Sequence, residues 1–178
     1  LGLAYEKIPV AMPEGAHKSP EYLKLSPLGQ VPTLVDGKVV ITDSTAALVY
    51  LAVRQKAKRW LPTDAEGAAQ VQRWLSAASG ELYRGPVLAR AARVYGRDVD
   101  VGRANAESLR LFKWMQAELQ GRQWLAADHA TIADVAMYSY IRVADEGGLD
   151  VTEYPAIIRW LADVEALDGF EAMPRSAV

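Results

Sequence analysis

The chain has 178 residues, 51% hydrophobic, 24% charged and 8% aromatic, a globular composition that excludes a disordered, collagen-like or disulfide-framed protein. Twenty Lys and Arg against 22 Asp and Glu leave a net charge of -2 with no long basic run, which argues against nucleic acid as a partner. With no cysteine and only His17 and His129, the chain offers no disulfide, thiolate metal site or cysteine nucleophile, and no metal site is expected.

No apolar run approaches the ~18 residues of a membrane span and no charged-then-apolar leader opens the chain, so a cytoplasmic protein without membrane attachment is expected. The chain starts at Leu1-Gly2-Leu3-Ala4-Tyr5, without an initiator Met. These residues read as a helix end, stopped by Gly2, that runs into a strand, so a preceding segment is expected. Residues 5–10 suit a short strand, and Ser19-Pro20-Glu21 is a helix-start signal within the polar stretch 14–25. Residues 31–35 and 38–41 are two β-rich runs separated by Asp36-Gly37, which predicts a hairpin with a type I′ turn and a first strand starting at Pro32. Thr42-Asp43-Ser44 then opens a helix with Ala47, Leu48, Leu51 and Ala52 on one face and Ser44 as N-cap.

After a basic, polar linker near residues 53–62, the composition turns helical. Thr63 and Glu66 form a capping-box pattern for a long helix reaching Tyr95-Gly96, and Gly85-Pro86 should kink or split it. Leu109, Phe112, Met115 and Leu119 make an apolar stripe on a further helix that Gly121 stops. Thr131-Ile132-Ala133-Asp134 is a box-like start for a helix with Val135, Ala136 and Ile141 that continues to Gly147-Gly148. Pro155 stands at the first position of a last helix with Ile157, Ile158, Leu161 and Val164, and Trp74, Trp114, Trp124 and Trp160 read as core. The expected division is an α/β front at 1–52, a linker at 53–62 and an all-helical back at 63–178.

Neither G-x-G-x-x-G nor a P-loop occurs, which removes the usual support for dinucleotides and nucleoside triphosphates. In Ser26-Pro27-Leu28-Gly29-Gln30-Val31-Pro32, a cis Val31-Pro32 bond would let the Val31 N–H and C=O turn outward to pair with an extended peptide. A plain edge-strand start explains the same residues. Asp43-Ser44 at a helix N-terminus suits the two charges of an α-amino-acid group, the carboxylate at the free N–H groups and the ammonium at Asp43. Ordinary capping and helix-dipole compensation by these residues is the alternative.

Taken in order and spacing, residues 14–23, 26–34 and 42–51 resemble the glutathione S-transferase family. Trp74-Leu75-Ser76, Thr131-Ile132-Ala133-Asp134 and Gly169-Phe170-Glu171-Ala172-Met173-Pro174 resemble the helical domain of its bacterial members, so the similarity spans nearly the whole chain. The resemblance implies an α+β protein: a thioredoxin-like glutathione-binding N-terminal domain, here without its first strand and helix, followed by an all-α C-terminal domain that supplies most of the second-substrate pocket. Position by position, Val31 before Pro32 would pair with the cysteinyl backbone of glutathione, Asp43 and Ser44 would hold the γ-glutamyl end, and His17, Lys18 and Gln30 would approach the glycyl carboxylate. Tyr83, Arg84, Val87 and Tyr138 lie where the family lines the second-substrate pocket, with core packing as their other reading.

The implied reaction is conjugation of glutathione to a small hydrophobic electrophile, or reduction of one, in a cytoplasmic homodimer serving detoxification. A thiol near pKa ~8.5 is only slightly ionised at neutral pH, and lowering that by about two units takes roughly 2.7 kcal/mol of preferential thiolate stabilisation. The family places the responsible hydroxyl or thiol between its first strand and helix, so no residue here takes that catalytic role. A non-catalytic binding or scaffold protein on the same fold is the competing expectation.

Overall fold

The computed structural model describes residues 1–176, which divide into two compact units, 1–57 and 58–176. In the first, a 3-10 turn at Ala16–Lys18 leads to helix α1, Pro20–Leu25. Ser19 caps it, its hydroxyl oxygen accepting the Tyr22 N–H at 3.2 Å, and Pro20 occupies the first turn, where a missing N–H costs nothing. Strands β1, Leu34–Asp36, and β2, Val39–Ile41, pair antiparallel with Leu34 opposite Ile41 and Asp36 opposite Val39, and helix α2 follows at Ser44–Arg54.

Four expectations for this unit are corrected. Residues 5–10 form no strand, because a strand needs a ladder partner and the sheet found among the described residues is the β1–β2 pair alone. The first strand starts at Leu34 instead of Pro32, and the turn is Gly37-Lys38 instead of Asp36-Gly37. Only Gly37 has a positive φ there, 59°, the pattern of a type II′ turn. Asp36 stays in the ladder because its carboxylate is held from α2, accepting the Tyr50 hydroxyl at 2.8 Å and pairing with Arg54 at 2.8 Å. Lastly, the cap of α2 is Asp43, not Ser44: its Oδ1 accepts the Ala46 N–H at 2.7 Å, which leaves Ser44 as the first helical residue.

The second unit is helical throughout. Helix α3 spans Ala65–Ala77, a π-helical segment Ala78–Val87 continues it, and α4 runs Leu88–Tyr95; α5, Val101–Glu118, α6, Ile132–Arg142, and α7, Pro155–Glu165, complete the unit. Among the described residues no helix is long and apolar enough to cross a membrane. The start of α3 is one residue later than the Thr63/Glu66 pattern implied, because the Asp64 carboxylate accepts the Gly67 N–H at 2.8 Å and takes over the capping. At Gly85-Pro86 the backbone stays helical but changes type: the two α-helical stretches are separated by the π segment, whose wider turn accommodates a proline that has no N–H to give and whose ring would crowd the preceding turn. Helix α6 ends at Arg142, short of Gly147-Gly148, and a separate 3-10 turn covers Ala144–Gly147.

The core holds Trp74, Leu111, Phe112, Met115, Leu119, Leu125, Met137, Ile141, Ile157 and Trp160. Leu109, expected on the buried stripe of α5, is 45% exposed, and Ser108 and Leu111 occupy the inner face instead. Ile158 likewise points outward while Trp160 fills the inner face of α7. Trp124 is buried as expected, and Trp114 is half-buried, stacked on Trp74 with ring centroids 4.4 Å apart. At the start of α6 the box is present: the Thr131 side chain accepts from the Ala133 N–H and Asp134 receives the Thr131 N–H at 2.9 Å.

The π segment lies against α5 at Gly85, where an added Cβ would stand 2.9 Å from the Ser108 N and Oγ and 3.0 Å from its Cα. Two of those three atoms are backbone and cannot swing away. Gly85→Ala is therefore expected to lower stability by about 1–3 kcal/mol through overpacking, read as a shift in the urea midpoint; an unchanged midpoint would show that the two helices separate freely.

Candidate functional site

In the first unit the register of the hairpin sets the site. With Leu34 opposite Ile41, the residues before β1 and those after β2 emerge at the same end, away from the Gly37-Lys38 turn. Val31-Pro32 and Asp43-Ser44 are thus brought to one end of the sheet.

The loop before β1 is held from α1. The Gln30 N–H donates to the Ser26 hydroxyl oxygen at 3.1 Å, and the Gln30 carbonyl accepts from the Ser26 hydroxyl at 3.0 Å and the Tyr22 hydroxyl at 2.9 Å. Tyr22 also shares a hydrogen bond of 2.9 Å with the Thr33 hydroxyl. The Val31–Pro32 bond is cis, and among the described residues neither backbone polar group of Val31 is hydrogen-bonded within the chain. Lys18 donates to the Leu28 carbonyl at 3.0 Å, and a Cβ at Gly29 would come within 2.6 Å of the His17 carbonyl, so His17, Lys18 and Gln30 border one loop. The Nδ1 of His17 is buried without a partner among the described residues.

At the head of α2, the Thr45 hydroxyl donates to Asp43 Oδ1 at 2.6 Å beside the Ala46 N–H, and these bonds hold the Asp43 carboxyl below the usual carboxylate range. Asp43 and Ser44 are exposed, and among the described residues the Ser44 hydroxyl and N–H have no hydrogen-bond partner. The arrangement presents a fixed negative charge beside free donors on a helix N-terminus, complementary to a group carrying both an ammonium and a carboxylate.

Of the residues predicted for a second substrate, Tyr83, Arg84 and Val87 lie together on the π segment; Tyr83 is 48% exposed and Arg84 pairs with Glu81 at 3.1 Å. Tyr138 stands apart. Its ring is buried against Trp160 and Phe170, its hydroxyl donates to Glu165 at 2.8 Å, and burial together with that bond pushes its pKa up to about 12. A shallow depression of about 560 Å³ bordered by Lys58, Arg59, Gln70 and His129 contains none of the predicted residues.

Tyr22, Ser26 and Thr45, which hold Gln30 and Asp43 in place, were not singled out from the sequence. Ser and Thr two to four residues from a predicted ligand carry the local hydrogen-bonding signal that would have found two of them.

Residues 1–53 match the family model of the glutathione S-transferase N-terminal domain and residues 87–168 that of its C-terminal domain. A zeta-class glutathione S-transferase of Euphorbia esula is 31% identical over 97% of this chain and 80% of its own. The chain belongs to the glutathione S-transferase family. Among solved structures, a glutathione S-transferase of Xanthobacter autotrophicus shares the fold at TM-score 0.88 and 24% identity, over 97% of this chain and 86% of its own. Human glutathione transferase theta-2, solved with glutathione, superimposes at TM-score 0.79 and 27% identity over 88% of this chain and 69% of its own. The glutathione S-transferase fold accounts for the small two-stranded sheet with its helices and the helical second unit alike.

Proposed function

We propose that this glutathione S-transferase binds glutathione on its first unit and transfers it to a small hydrophobic electrophile, or uses it to reduce one. The observation that carries the reading is the head of α2, where an ionised Asp43 lies beside the unengaged Ser44 N–H and hydroxyl. In this reading Asp43 takes the ammonium of the γ-glutamyl group, and Ser44 takes its carboxylate. Val31, next to Pro32, offers its backbone N–H and C=O to the cysteinyl residue, and His17, Lys18 and Gln30 face the glycyl carboxylate. The human theta-2 structure, solved with glutathione on the same fold, supports glutathione as the ligand.

On the helical unit Tyr83, Arg84 and Val87 form the surface proposed for the second substrate, and Tyr138, packed against Trp160 and Phe170, is assigned to the core. The proposal extends to a cytoplasmic homodimer with a domain boundary in residues 53–62.

Ser44→Ala tests the carboxylate assignment directly. Calorimetric titration with glutathione is expected to show binding weakened by about 1.5–3 kcal/mol, the range for hydrogen bonds to charged groups. An unchanged affinity rejects the role of Ser44, and no binding by the folded wild type rejects the glutathione reading itself.

A further inference from the structure

Tyr22 on α1 and Ser26, which closes that helix by donating its N–H to the Tyr22 carbonyl at 2.8 Å, are one turn apart. Their hydroxyls converge on a single backbone oxygen, the Gln30 carbonyl, at 2.9 and 3.0 Å. A carbonyl only accepts, so each hydroxyl gives it its one proton. The lone pairs of Ser26 Oγ then take the Gln30 N–H at 3.1 Å, and in the 2.9 Å bond between Tyr22 and Thr33 the donor is Thr33. Thr33, Tyr22 and Gln30 form a hydrogen-bond chain running in one direction, in which each link polarises the next. Ser26 is fully buried, and its carbonyl accepts the Gly29 N–H at 2.7 Å, so the grip on Gln30 is anchored to the helix end.

The gripped carbonyl shares its peptide unit with the Val31 N–H. The Gln30–Val31 bond is trans, and in a planar trans peptide the C=O and N–H point in opposite directions. With the oxygen held against the end of α1, the Val31 N–H points away from it. Both polar backbone groups of Gln30 are engaged, whereas the Val31 N–H has no partner among the described residues, and Val31 is 42% exposed. Two donors on the carbonyl also polarise the peptide unit and make its N–H the stronger donor.

We infer that Tyr22 and Ser26 are positioning residues for glutathione: by holding the Gln30 carbonyl they aim the Val31 N–H at the cysteinyl residue of the tripeptide. The inference rests on the reading that Val31 pairs with glutathione. Neither hydroxyl has a proton left to give the ligand, so both act through Val31.

The test compares wild type, Tyr22→Phe, Ser26→Ala and, as a control, Tyr50→Phe, which removes a hydroxyl bond from the same unit, the one to Asp36. Two quantities are read: the Val31 amide resonance in nitrogen–proton correlation spectra without ligand, and the Kd of glutathione by calorimetry. Expected is a displaced Val31 resonance in Tyr22→Phe and Ser26→Ala. Kd should rise about fivefold in Tyr22→Phe, the fold-change of one hydrogen bond of about 1 kcal/mol, and further in Ser26→Ala, which also strands the Gln30 N–H. Tyr50→Phe should leave both quantities at their wild-type values. If Ser26→Ala does not fold, Tyr22→Phe decides alone, since it keeps the ring and its packing.

A Val31 resonance that moves no more in Tyr22→Phe than in Tyr50→Phe overturns the inference, and so does a displaced resonance with an unchanged Kd. An equal rise of Kd in Tyr50→Phe overturns it as well, as a general loosening of the unit. In these three cases binding by wild type keeps the glutathione reading. A folded wild type that binds no glutathione overturns that reading, and the inference with it.

Discussion

Asp134→Ala is expected to lower the stability of the helical unit by about 4 kcal/mol or more, a large share of the 5–15 kcal/mol that holds a domain of this size. The carboxylate is fully buried and its two oxygens accept four hydrogen bonds. Oδ1 takes the Leu125 N–H at 3.0 Å and the Trp160 indole N–H at 2.9 Å; Oδ2 takes the Thr131 N–H at 2.9 Å and the Thr131 hydroxyl at 3.2 Å. Alanine strands those donors in the core, and each unsatisfied buried group costs about 1–3 kcal/mol. If Asp134 did no more than cap α6, the loss would be about 1 kcal/mol. Asp134→Asn separates the two roles. Its amide oxygen can replace one carboxylate oxygen, but its NH2 faces donors where the other stood, so it too should lose well over 1 kcal/mol. All five tryptophans lie after residue 58, so fluorescence-monitored urea unfolding reports this unit alone. A loss of 1 kcal/mol in both variants would reduce the network to a cap.

The same residue shows how far a sequence can be read. That Thr131 and Asp134 start a helix is legible, because a cap and its partner are three positions apart and the signal is local. That the carboxylate also ties the 125 region and α7 into one core is not, since its partners are 9 and 26 positions away. The hairpin was legible for the same local reason, from two β-rich runs around a glycine. Its turn was placed one residue early because Asp36 answers to Tyr50 and Arg54 on α2 and not to the turn. The caps of α2 and α3 each belong to an aspartate beside the expected serine or threonine, a choice between adjacent acceptors that composition alone leaves open. At the candidate site, Val31, Asp43 and Ser44 stand out from their motifs, whereas Tyr22 reaches Gln30 and Thr33 only through the fold, 8 and 11 positions on. Arg90 looks like one more arginine on a helix until Glu146, 56 positions later, closes on it.

That pair carries the second large effect. Both side chains are nearly excluded from water, 6% and 5% exposed, so removing one partner leaves the other charge buried and unpaired. Glu146→Ala is expected to lower stability by about 3 kcal/mol, the lower end for breaking a buried pair, because water can reach Arg90 once Ser176 has lost its acceptor. The pH dependence gives the sharper test. Burial alone would raise the Glu146 carboxyl, but the bonds from Arg90 and from Ser176 outweigh it and hold the group below its ordinary value of 4.5. Since the folded value lies below the unfolded one, the unfolded chain takes up the proton first as the solution is acidified. The contribution of Glu146 is therefore complete above about pH 4.5 and is lost as the pH falls through the lower, folded value. Glu146→Gln keeps the shape without the titration, so its stability should fall less steeply than that of wild type below about pH 4.5. Parallel slopes for the two proteins would mean that Arg90 is satisfied by water and not by Glu146.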